Sequence, residues 1–317
     1  MIDAHGRELN YLRISVTDRC NLRCHYCMPP EGVVPKMHEA ILTYEEIVEI
    51  ASAAVDLGVK KIRLTGGEPL VRRGIVDLCI NLAKLKNKGL EELCLTTNGS
   101  LLSKFAEPLR RAGVDRLNVS LDTPSAELYK EMTRGGDIED VFAGLKKARE
   151  VGFTGTKINA VLINDFNDLD LRTLSEWTRK YPIDVRWIEL MPIGEAAEWH
   201  KESFLSCETV LTVIPELEYV GEKGVATLYR FPDGKGHVGL IRPLSHHFCS
   251  TCTRLRLTAD GYLKTCLHSR GEIQLRGLSG NELKAAFRRA AADKPWEHHL
   301  NERGVSDTIR YMNQIGG

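Results

Sequence analysis

The pattern of hydrophobic and polar positions repeats from residue 11 to residue 191. Short runs rich in β-branched and other apolar residues are each followed by a longer stretch whose apolar residues recur at helical spacing. This order is typical of parallel strands connected by crossover helices, the arrangement of α/β proteins. The strands are predicted at residues 11–17, 61–65, 92–97, 116–121, 157–163 and 185–190. Six units are fewer than the eight of a closed TIM barrel, so we predict a partial (βα)6 barrel.

The first predicted helix has the clearest boundaries. Thr43 and Glu46 form a capping box, the apolar residues that follow share one face, and Gly58 provides the C-terminal stop. Further helices are predicted at residues 75–86, 104–111, 138–151 and 169–179. Each of them lies between two predicted strands, as a crossover connection requires.

The pattern changes after Met191. Short strands, which we expect to be antiparallel, are predicted at residues 225–231, 237–241, 253–258 and 262–266, and Asp260-Gly261 is a strong hairpin turn. A last helix is predicted at residues 282–291. We therefore divide the chain into residues 1–195, which form the partial barrel, and residues 196–317, an α+β region that closes its open side.

The charge balance limits the classes of partner. The 317 residues contain 43 basic and 43 acidic side chains, so the formal net charge is zero. This balance argues against the bulk attraction expected of a nucleic-acid or membrane-surface binder, and any anion site must therefore be local. The first ten residues lack the apolar core of a signal peptide, and no stretch approaches the roughly 20 apolar residues of a membrane span. We expect a cytoplasmic protein without nucleic-acid or membrane partners.

The distribution of the nine cysteines points to metal sites. Three stand alone in apolar or helical surroundings, as small buried residues do: Cys79, Cys94 and Cys207. The other six form two groups of three, namely Cys20, Cys24 and Cys27, and Cys249, Cys252 and Cys266. Three plus three does not suit disulfides, and in a reducing compartment clustered cysteines are more often metal ligands.

The first group lies in a loop directly after the first predicted strand, at the end where barrel enzymes place their chemistry. A loop with three thiolates leaves one coordination position open, whereas structural zinc usually takes four protein ligands. This favours a [4Fe-4S] cluster whose fourth iron holds a chelating ligand. A zinc site completed by His25 or His38 is the alternative.

The spacing of this group is Cys-x3-Cys-x2-Cys, with Tyr26 before the last cysteine. It resembles the signature of the radical S-adenosylmethionine (SAM) superfamily. A second match, Gly66-Gly67-Glu68-Pro69, follows the second strand, where successive glycines allow a ligand to approach and Glu68 can accept from a ligand ammonium. The resemblance implies SAM contacts at Tyr26, Gly67, Glu68, Ser120 and Met191.

The second group again supplies three thiolates, and Cys266 lies on the far arm of the predicted hairpin. The histidines that could complete a zinc site instead are His246, His247 and His268. Arg254 and Arg256, two residues apart on a predicted strand, project from one face beside the cysteines, and guanidinium pairs suit phosphate. They favour a second open-cornered [4Fe-4S] cluster beside a phosphate-bearing ligand.

Three features together resemble the molybdenum cofactor biosynthesis protein A family, the GTP 3',8-cyclases. They are this segment, the sequence YLRIS at residues 11–15 and the terminal Gly316-Gly317. The resemblance covers essentially the whole chain. It implies that the second cluster holds guanine and that GTP is contacted by Arg13, Arg63, Thr96, Lys157, Arg254, Leu255 and Arg256. It also implies a catalytic group in which the C-terminal tail enters the site and helps to set the arginines: Arg13, Arg254, Arg256, Gly316 and Gly317.

The resemblance further implies the first reaction of molybdenum cofactor synthesis. Reductive cleavage of SAM would yield a 5'-deoxyadenosyl radical that removes the 3'-hydrogen of GTP. The C3' radical would add to C8, and reduction and protonation would give (8S)-3',8-cyclo-7,8-dihydroguanosine 5'-triphosphate. The implied partners are a low-potential electron donor and, downstream, a cyclic pyranopterin monophosphate synthase. A homodimer is compatible with the family.

Three other classes of protein fit part of the sequence. A radical SAM enzyme that modifies peptides also carries auxiliary clusters, but the arginine pair and the terminal Gly-Gly favour a nucleotide. A zinc-stabilised binding module is the non-enzyme alternative. An electron carrier is disfavoured by the missing fourth cysteines and by the segment at residues 66–69.

Overall fold

A twelve-stranded sheet forms the centre of the computed structural model, which describes residues 1–34, 36–199, 201–298, 300 and 304–316. The strands are β1 (Tyr11–Ser15), β2 (Lys61–Thr65), β3 (Glu92–Thr97), β4 (Arg116–Ser120), β5 (Lys157–Leu162), β6 (Asp184–Glu189), β7 (Glu218–Lys223), β8 (Ala226–Arg230), β9 (His237–Ile241), β10 (Arg254–Leu257), β11 (Tyr262–Lys264) and β12 (Glu272–Gln274). The helices are α1 (Tyr44–Asp56), α2 (Ile75–Ala83), α3 (Leu102–Arg111), α4 (Ala126–Thr133), α5 (Ile138–Glu150), α6 (Leu171–Ser175), α7 (Trp177–Lys180), α8 (Thr209–Val213), α9 (Gly280–Ala292) and α10 (Met312–Ile315).

Eight of these strands run parallel to one another, in the order β10-β1-β2-β3-β4-β5-β6-β9. Strands β1 to β6 are the six that the sequence predicts, with crossover helices between them. The predicted α/β fold with a partial TIM-type barrel is confirmed.

The C-terminal strands differ from the expectation in two respects: β7 and β12 were not predicted, and the pairing of β9 and β10 extends beyond their hairpins. Strands β9 and β10 are antiparallel to their hairpin partners β8 and β11, as predicted, but β9 also pairs in parallel with β6 and β10 with β1. The region therefore extends the barrel sheet at both edges. The physical reason is that β1 and β6 would otherwise present unpaired N–H and C=O groups. Periodicity alone does not reveal such a pairing.

Four helical segments also differ from the prediction, and two of them, α8 and α10, are short helices that were not predicted. The sequence predicts one helix at residues 169–179, but the structure breaks it into the short helices α6 and α7. Helix α4 was not predicted, although Ser125 is a good N-cap residue and its hydroxyl accepts from the N–H of Leu128 at 3.4 Å.

Along the parallel strands, apolar side chains face the helices and polar ones face inward. On β2, Ile62 and Leu64 are fully buried in the main hydrophobic core, whereas Lys61 and Arg63 line the inner side of the sheet. This alternation follows from the two-residue period of a strand. The hydrophobic core thus lies between the sheet and its helices, and the inside of the partial barrel is polar.

The local signals at two turns are confirmed. The Thr43 hydroxyl accepts from the N–H of Glu46, whose carboxylate accepts from the N–H of Thr43, so the capping box at α1 is present. Gly261 joins β10 to β11 with φ of 88°, a conformation that favours glycine. Among the described residues, no helix has the combination of length and apolar character needed to cross a membrane.

Candidate functional site

A cavity of about 600 Å³ opens on the inner side of the sheet. Its wall combines inward side chains from the parallel strands with the two cysteine loops, which lie far apart in the sequence. The six clustered cysteines all line it: Cys20, Cys24, Cys27, Cys249, Cys252 and Cys266. The structure therefore brings the two predicted metal sites to one chamber.

The first cysteine loop follows β1 and is tightly wound. The N–H of Cys27 donates to the carbonyl of Cys24 at 2.9 Å, and the N–H of Leu22 donates to Cys20 Sγ at 3.4 Å. Asn98, just after β3, places its Nδ2 3.8 Å from the same sulfur. The Cys20 sulfur is thus contacted by groups that follow β1 and β3, and it lines the cavity together with Cys24 and Cys27.

The donor set of this loop fits an iron-sulfur cluster. Burial raises the pKa of all three thiols, in the case of Cys27 to about 12, so thiolates here require a cationic centre beside them. In the described part of the chain, no three His, Cys, Asp or Glu side chains converge closely enough to hold a single metal ion. A cubane cluster does not need that convergence, because its three cysteines bind at different corners.

Gly66 and Gly67 are required by the packing of the cysteine loop. A Cβ at Gly67 would lie 2.4 Å from the carbonyl oxygen of Arg19, and one at Gly66 would lie 2.6 Å from that of Thr17. The N–H of Gly67 donates to the same Thr17 oxygen at 2.8 Å. The sequence suggests room for a ligand here, but the first neighbour of these glycines is the backbone of the loop. Both glycines also line the cavity, and the SAM contact at Gly67 stays a prediction.

Glu68 is fully buried and joins the ends of two strands. Its carboxylate accepts from the N–H of Leu70 at 2.9 Å, from the Thr97 hydroxyl at 2.8 Å and from the N–H of Asn98 at 2.7 Å. Burial raises the pKa of Glu68 to about 7 despite these donors. The contact with a SAM ammonium therefore remains a prediction, beside a structural role that the sequence did not indicate.

The remaining predicted SAM residues, Tyr26, Ser120 and Met191, all line the cavity. The Tyr26 hydroxyl donates to Asp122 Oδ2 at 3.1 Å, and Asp122 Oδ1 accepts from the N–H of Val161 at 2.8 Å. Burial raises the pKa of Asp122 to about 6. Asp122 was not selected from the sequence, although it stands just after β4, where catalytic groups of barrel enzymes gather.

The second cysteine group lies among cations. Burial opposes ionisation of Cys252, but the charges of Lys294 and Arg254 outweigh it and lower the pKa of the thiol. Lys294 is fixed by the carbonyls of Arg254 and Thr265, at 3.0 and 2.6 Å from its Nζ. Arg7 donates to the carbonyl of Cys249 at 2.8 Å and so braces the loop. A thiolate favoured in this way suits metal ligation.

Three histidine rings pack at tilted angles beside this group. The ring centroids of His268 and His298 are 4.7 Å apart, and those of His247 and His298 are 4.6 Å apart. Burial and the neighbouring His298 lower the pKa of His268 to about 3, so its ring is neutral. Of the three histidines considered for zinc, His268 lines the cavity, whereas His246 and His247 do not.

The inner surface of the sheet carries a concentration of positive charge. Besides Lys223 and Lys294, eight basic side chains from six of the parallel strands line the cavity: Arg13, Lys61, Arg63, Arg116, Lys157, Arg186, Arg254 and Arg256. In the part of the chain that the structure describes, the carboxylates that ion-pair with this set are Glu92, with Lys61 and Arg116, and Asp184, with Lys157. Positive charge is therefore in excess on this wall, as a local anion site in a chain of zero net charge requires.

Arg13, Arg63 and Arg256 share one level of the barrel. Arg13 pairs in register with Arg63 on one side and with Arg256 on the other. Burial lowers the pKa of Arg13 to about 10 and that of Arg256 to about 9, and the crowded positive charges act in the same direction. Such crowding is tolerable in a site built to receive an anion.

The other predicted GTP residues occupy different positions. Arg63 donates to the Thr96 hydroxyl at 3.3 Å, so the two side chains are in contact on the cavity wall. Lys157 pairs with Asp184, and burial together with Arg186 lowers the pKa of Lys157 to about 8. Leu255 points into the hydrophobic core, which leaves its backbone as the part able to meet a ligand. Each assignment stays a prediction.

Several polar atoms on this wall are buried and have no hydrogen-bond partner among the described residues: Arg186 Nε, Asn118 Oδ1 and Asn159 Oδ1. Buried polar atoms are normally satisfied, so atoms left over at a cavity indicate a ligand with complementary groups. Such a ligand needs both acceptors and donors, as a nucleotide has.

The C-terminal tail enters the barrel. Arg256 donates to the carbonyl of Gly316 at 2.8 Å, and the Asn313 amide donates to the carbonyl of Asp18 in the first cysteine loop at 2.8 Å. Gly316 has φ of 77°, and a Cβ there would lie 2.1 Å from the Thr65 hydroxyl. The tail thus links the arginines to the first loop. Gly317 lies outside the described residues.

Sequence reasoning missed several wall residues: Tyr11, Lys61, Arg116, Asn118, Asn159 and Arg186. A usable signal was present, because each lies an even number of residues from another inward position on its own strand, or in register with one next door. Applying the two-residue period to every predicted strand would have found them.

Comparison with known proteins agrees with this architecture. The Radical SAM superfamily profile matches residues 14–178, just over half of the chain, and the Molybdenum Cofactor Synthesis C profile matches residues 183–300. Curated relatives named GTP 3',8-cyclase match throughout. The one from Clostridium botulinum is 44% identical over 321 residues, covering 100% of both chains. The one from Peptoclostridium acidaminophilum is 48% identical over 323 residues, covering 100% of this chain and 98% of the relative.

Solved structures share the fold at lower identity. Streptococcus suis SuiB bound to S-adenosylmethionine superposes with a TM-score of 0.62 and 16% identity, covering 97% of this chain and 77% of that one. Methylornithine synthase (PylB) gives 0.52 and 21%, covering 66% and 62%. With full-length relatives and a matching superfamily profile, the chain belongs to the radical SAM superfamily and, within it, to the GTP 3',8-cyclase family.

Proposed function

We propose that this chain converts GTP to (8S)-3',8-cyclo-7,8-dihydroguanosine 5'-triphosphate, the first step of molybdenum cofactor synthesis. The observation that carries the proposal is a strongly cationic inner wall that lies between two cysteine triads in one cavity. A triphosphate needs several guanidinium and ammonium donors, and a neutral chain has concentrated them here.

The two triads have separate tasks in this proposal. Cys20, Cys24 and Cys27 hold a [4Fe-4S] cluster with SAM, next to Tyr26, Gly67, Ser120 and Met191, and Glu68 secures the loop. When bound, the cluster and SAM supply a 5'-deoxyadenosyl radical able to remove a hydrogen atom. Cys249, Cys252 and Cys266 hold a second [4Fe-4S] cluster, whose open position takes the guanine base. Lys294 and Arg254 support the thiolate of Cys252.

The chain itself supplies binding and orientation. Arg13, Arg254 and Arg256 grip the triphosphate with Arg63 and Lys157, while the base is held at the other end. Fixing both ends bends the nucleotide, so that C3' of the ribose lies against C8 of guanine, the two atoms that the product joins. Such positioning reduces the entropic part of the barrier. The tail, through the bond from Arg256 to the Gly316 carbonyl, fixes one arginine before the ligand arrives.

The reaction also requires reducing equivalents from outside the chain. A low-potential electron donor must deliver them, and an enzyme that rearranges the cyclic nucleotide, a cyclic pyranopterin monophosphate synthase, must consume the product. Both partners are part of the proposal.

The experiment is an anaerobic incubation of the reconstituted protein with SAM, a strong reductant and GTP deuterated at C3', followed by mass spectrometry. Deuterium in 5'-deoxyadenosine, together with the cyclised triphosphate, is the expected result. If 5'-deoxyadenosine forms without deuterium, another substrate is in use and the GTP assignment fails. If none forms although iron content is complete, the radical reaction itself is ruled out for this chain.

A further inference from the structure

One polar group at the centre of the cationic wall has no part in the proposed reaction. Tyr11, on β1, pairs in register with Lys61 on β2 and with Arg254 on β10. Its hydroxyl oxygen lies 2.7 Å from Nε of Arg63, which donates to it. The Lys61 ammonium lies 5.1 Å from the ring centroid and the Arg254 guanidinium carbon 5.9 Å from it.

The charges around this phenol have one sign. From its own strand Arg13 faces it, from β2 Lys61 and Arg63, and from β10 Arg254. Lys61 also ion-pairs with Glu92 on β3 at 2.5 Å, and that carboxylate is shared with Arg116, likewise at 2.5 Å. A hydroxyl that accepts from an arginine among further cations is favoured in its anionic form.

We propose that Tyr11 is a positioning residue that holds the triphosphate cations in place as an internal anion and takes up a proton when the phosphate chain binds. This inference rests on the proposed GTP site. Arg63 is aimed by the phenolate in the free protein, and the incoming phosphate then replaces the phenolate as its partner. The phenolate thereby offsets the repulsion among the neighbouring cationic side chains before the substrate binds.

The titration of Tyr11 gives the sign of the pH dependence. Burial alone would raise its pKa, but Arg63, Arg13, Arg254 and Lys61 together outweigh burial and lower the pKa from the usual value near 10 to about 7. Bound phosphate opposes this lowering. Between about pH 7 and pH 10, binding therefore takes up a proton, and affinity falls as pH rises, by at most about tenfold per unit for one linked proton.

The test compares the cluster-loaded protein with Tyr11→Phe by anaerobic titration calorimetry with GTP and with inorganic triphosphate. Measurements at pH 7.5, 8.0 and 8.5 in two buffers of different ionisation enthalpy give affinity and protons taken up per ligand. The γ-phosphate of GTP titrates near pH 6 and is already ionised there. Inorganic triphosphate loses its last proton at higher pH, but the ligand's own protons enter the measurements on both proteins alike. Lys157, with its pKa near 8, titrates in the same range in both proteins, so the difference between them isolates Tyr11.

We expect Tyr11→Phe to take up about one proton fewer and to lose most of the decline in affinity toward pH 8.5. The matched control is Tyr262→Phe, whose ring also packs against an arginine, Arg310, but lies outside the cavity lining. It should behave as the parent. Iron content and the thermal transition of each variant verify that it has folded.

The outcomes separate the two proposals. If Tyr11→Phe weakens binding equally at every pH with unchanged proton uptake, Tyr11 only braces Arg63 and the inference is overturned. If inorganic triphosphate binds with the expected proton uptake and GTP does not bind, the inference stands and the GTP assignment fails. If neither ligand binds at any pH, both fail.

Discussion

At the scale of single residues, the contact between Arg256 and the C-terminal tail depends on a glycine, Gly316. Arg256 is buried, and its partner is a backbone carbonyl of the tail. That carbonyl reaches the arginine because Gly316 has a positive φ and passes against Thr65 without a Cβ.

We predict that Gly316→Ala expels the tail and lowers kcat/KM for GTP by about tenfold or more, since the new Cβ meets Thr65 at 2.1 Å and positive φ adds about 1 kcal/mol of strain. Both clusters and uncoupled SAM cleavage should remain. Gly6→Ala is the matched control, because Gly6 has φ of 81° but nothing within 4 Å of its Cβ. Equal loss in both variants, measured by product formation, would contradict the tail's role.

Arg254 offers a second test at this scale. Arg254→Ala should keep its iron and its uncoupled SAM cleavage but lose GTP affinity by about 10- to 100-fold, the value of one or two charge-assisted bonds to phosphate. Arg288→Ala, at an exposed position on α9, is the control. Equilibrium binding and iron analysis decide the matter. Loss of iron from the Arg254 variant would show that Lys294 alone does not support the Cys252 thiolate and that the main role of Arg254 is at the second cysteine group.

At the scale of elements, the turn after β2 and the first cysteine loop form one unit. Each supplies backbone acceptors or donors to the other, and Glu68 ties both to the end of β3. The turn packs so closely on the loop that neither Gly66 nor Gly67 has room for a side chain. Cluster binding therefore depends on a strand connection that contains no cysteine.

We predict that Gly67→Ala reduces the iron and sulfide bound per chain at the first site and destabilises the fold by about 1–3 kcal/mol, because its Cβ would lie 2.4 Å from the Arg19 carbonyl oxygen. Gly271→Ala is the control, since Gly271 has open space around its Cβ. Iron analysis and thermal unfolding of the two variants give the comparison. Full iron content in Gly67→Ala would show that the loop can move aside.

The elements themselves could largely be predicted, and the site in part. Thr43 and Glu46 predict the start of α1, and Asp260-Gly261 predicts the hairpin, because these signals depend only on neighbouring residues. The cysteine motifs and the Arg254–Arg256 pair are also local. The two-residue period places Arg186 and Tyr11 on the inward face of their strands, but pairing between distant strands decides which groups each of them meets there, and periodicity does not determine that pairing. The parallel pairing of β9 with β6 and of β10 with β1 was missed for the same reason.

At the scale of the whole molecule, residues after 195 complete the sheet at both edges through β9 and β10. We predict that a fragment of residues 1–195 alone aggregates, because β1 and β6 then expose unpaired backbone edges. Co-expression with residues 196–317 should restore a soluble complex with one cooperative thermal transition. Soluble yield and circular dichroism test this. A fragment 1–195 that unfolds cooperatively by itself would identify it as an independent domain.

The polar inner wall has a consequence for the stability of the folded chain. The space that a closed barrel fills with branched aliphatic side chains carries many basic side chains here, so in the proposed function a bound nucleotide would fill part of the space that core side chains fill elsewhere. Folding and nucleotide binding are then linked equilibria: a ligand at a hundred times its Kd adds about 2.7 kcal/mol to the free energy of unfolding. The cellular supply of the triphosphate would thereby act as a folding aid, and starvation for it would shorten the lifetime of the folded chain.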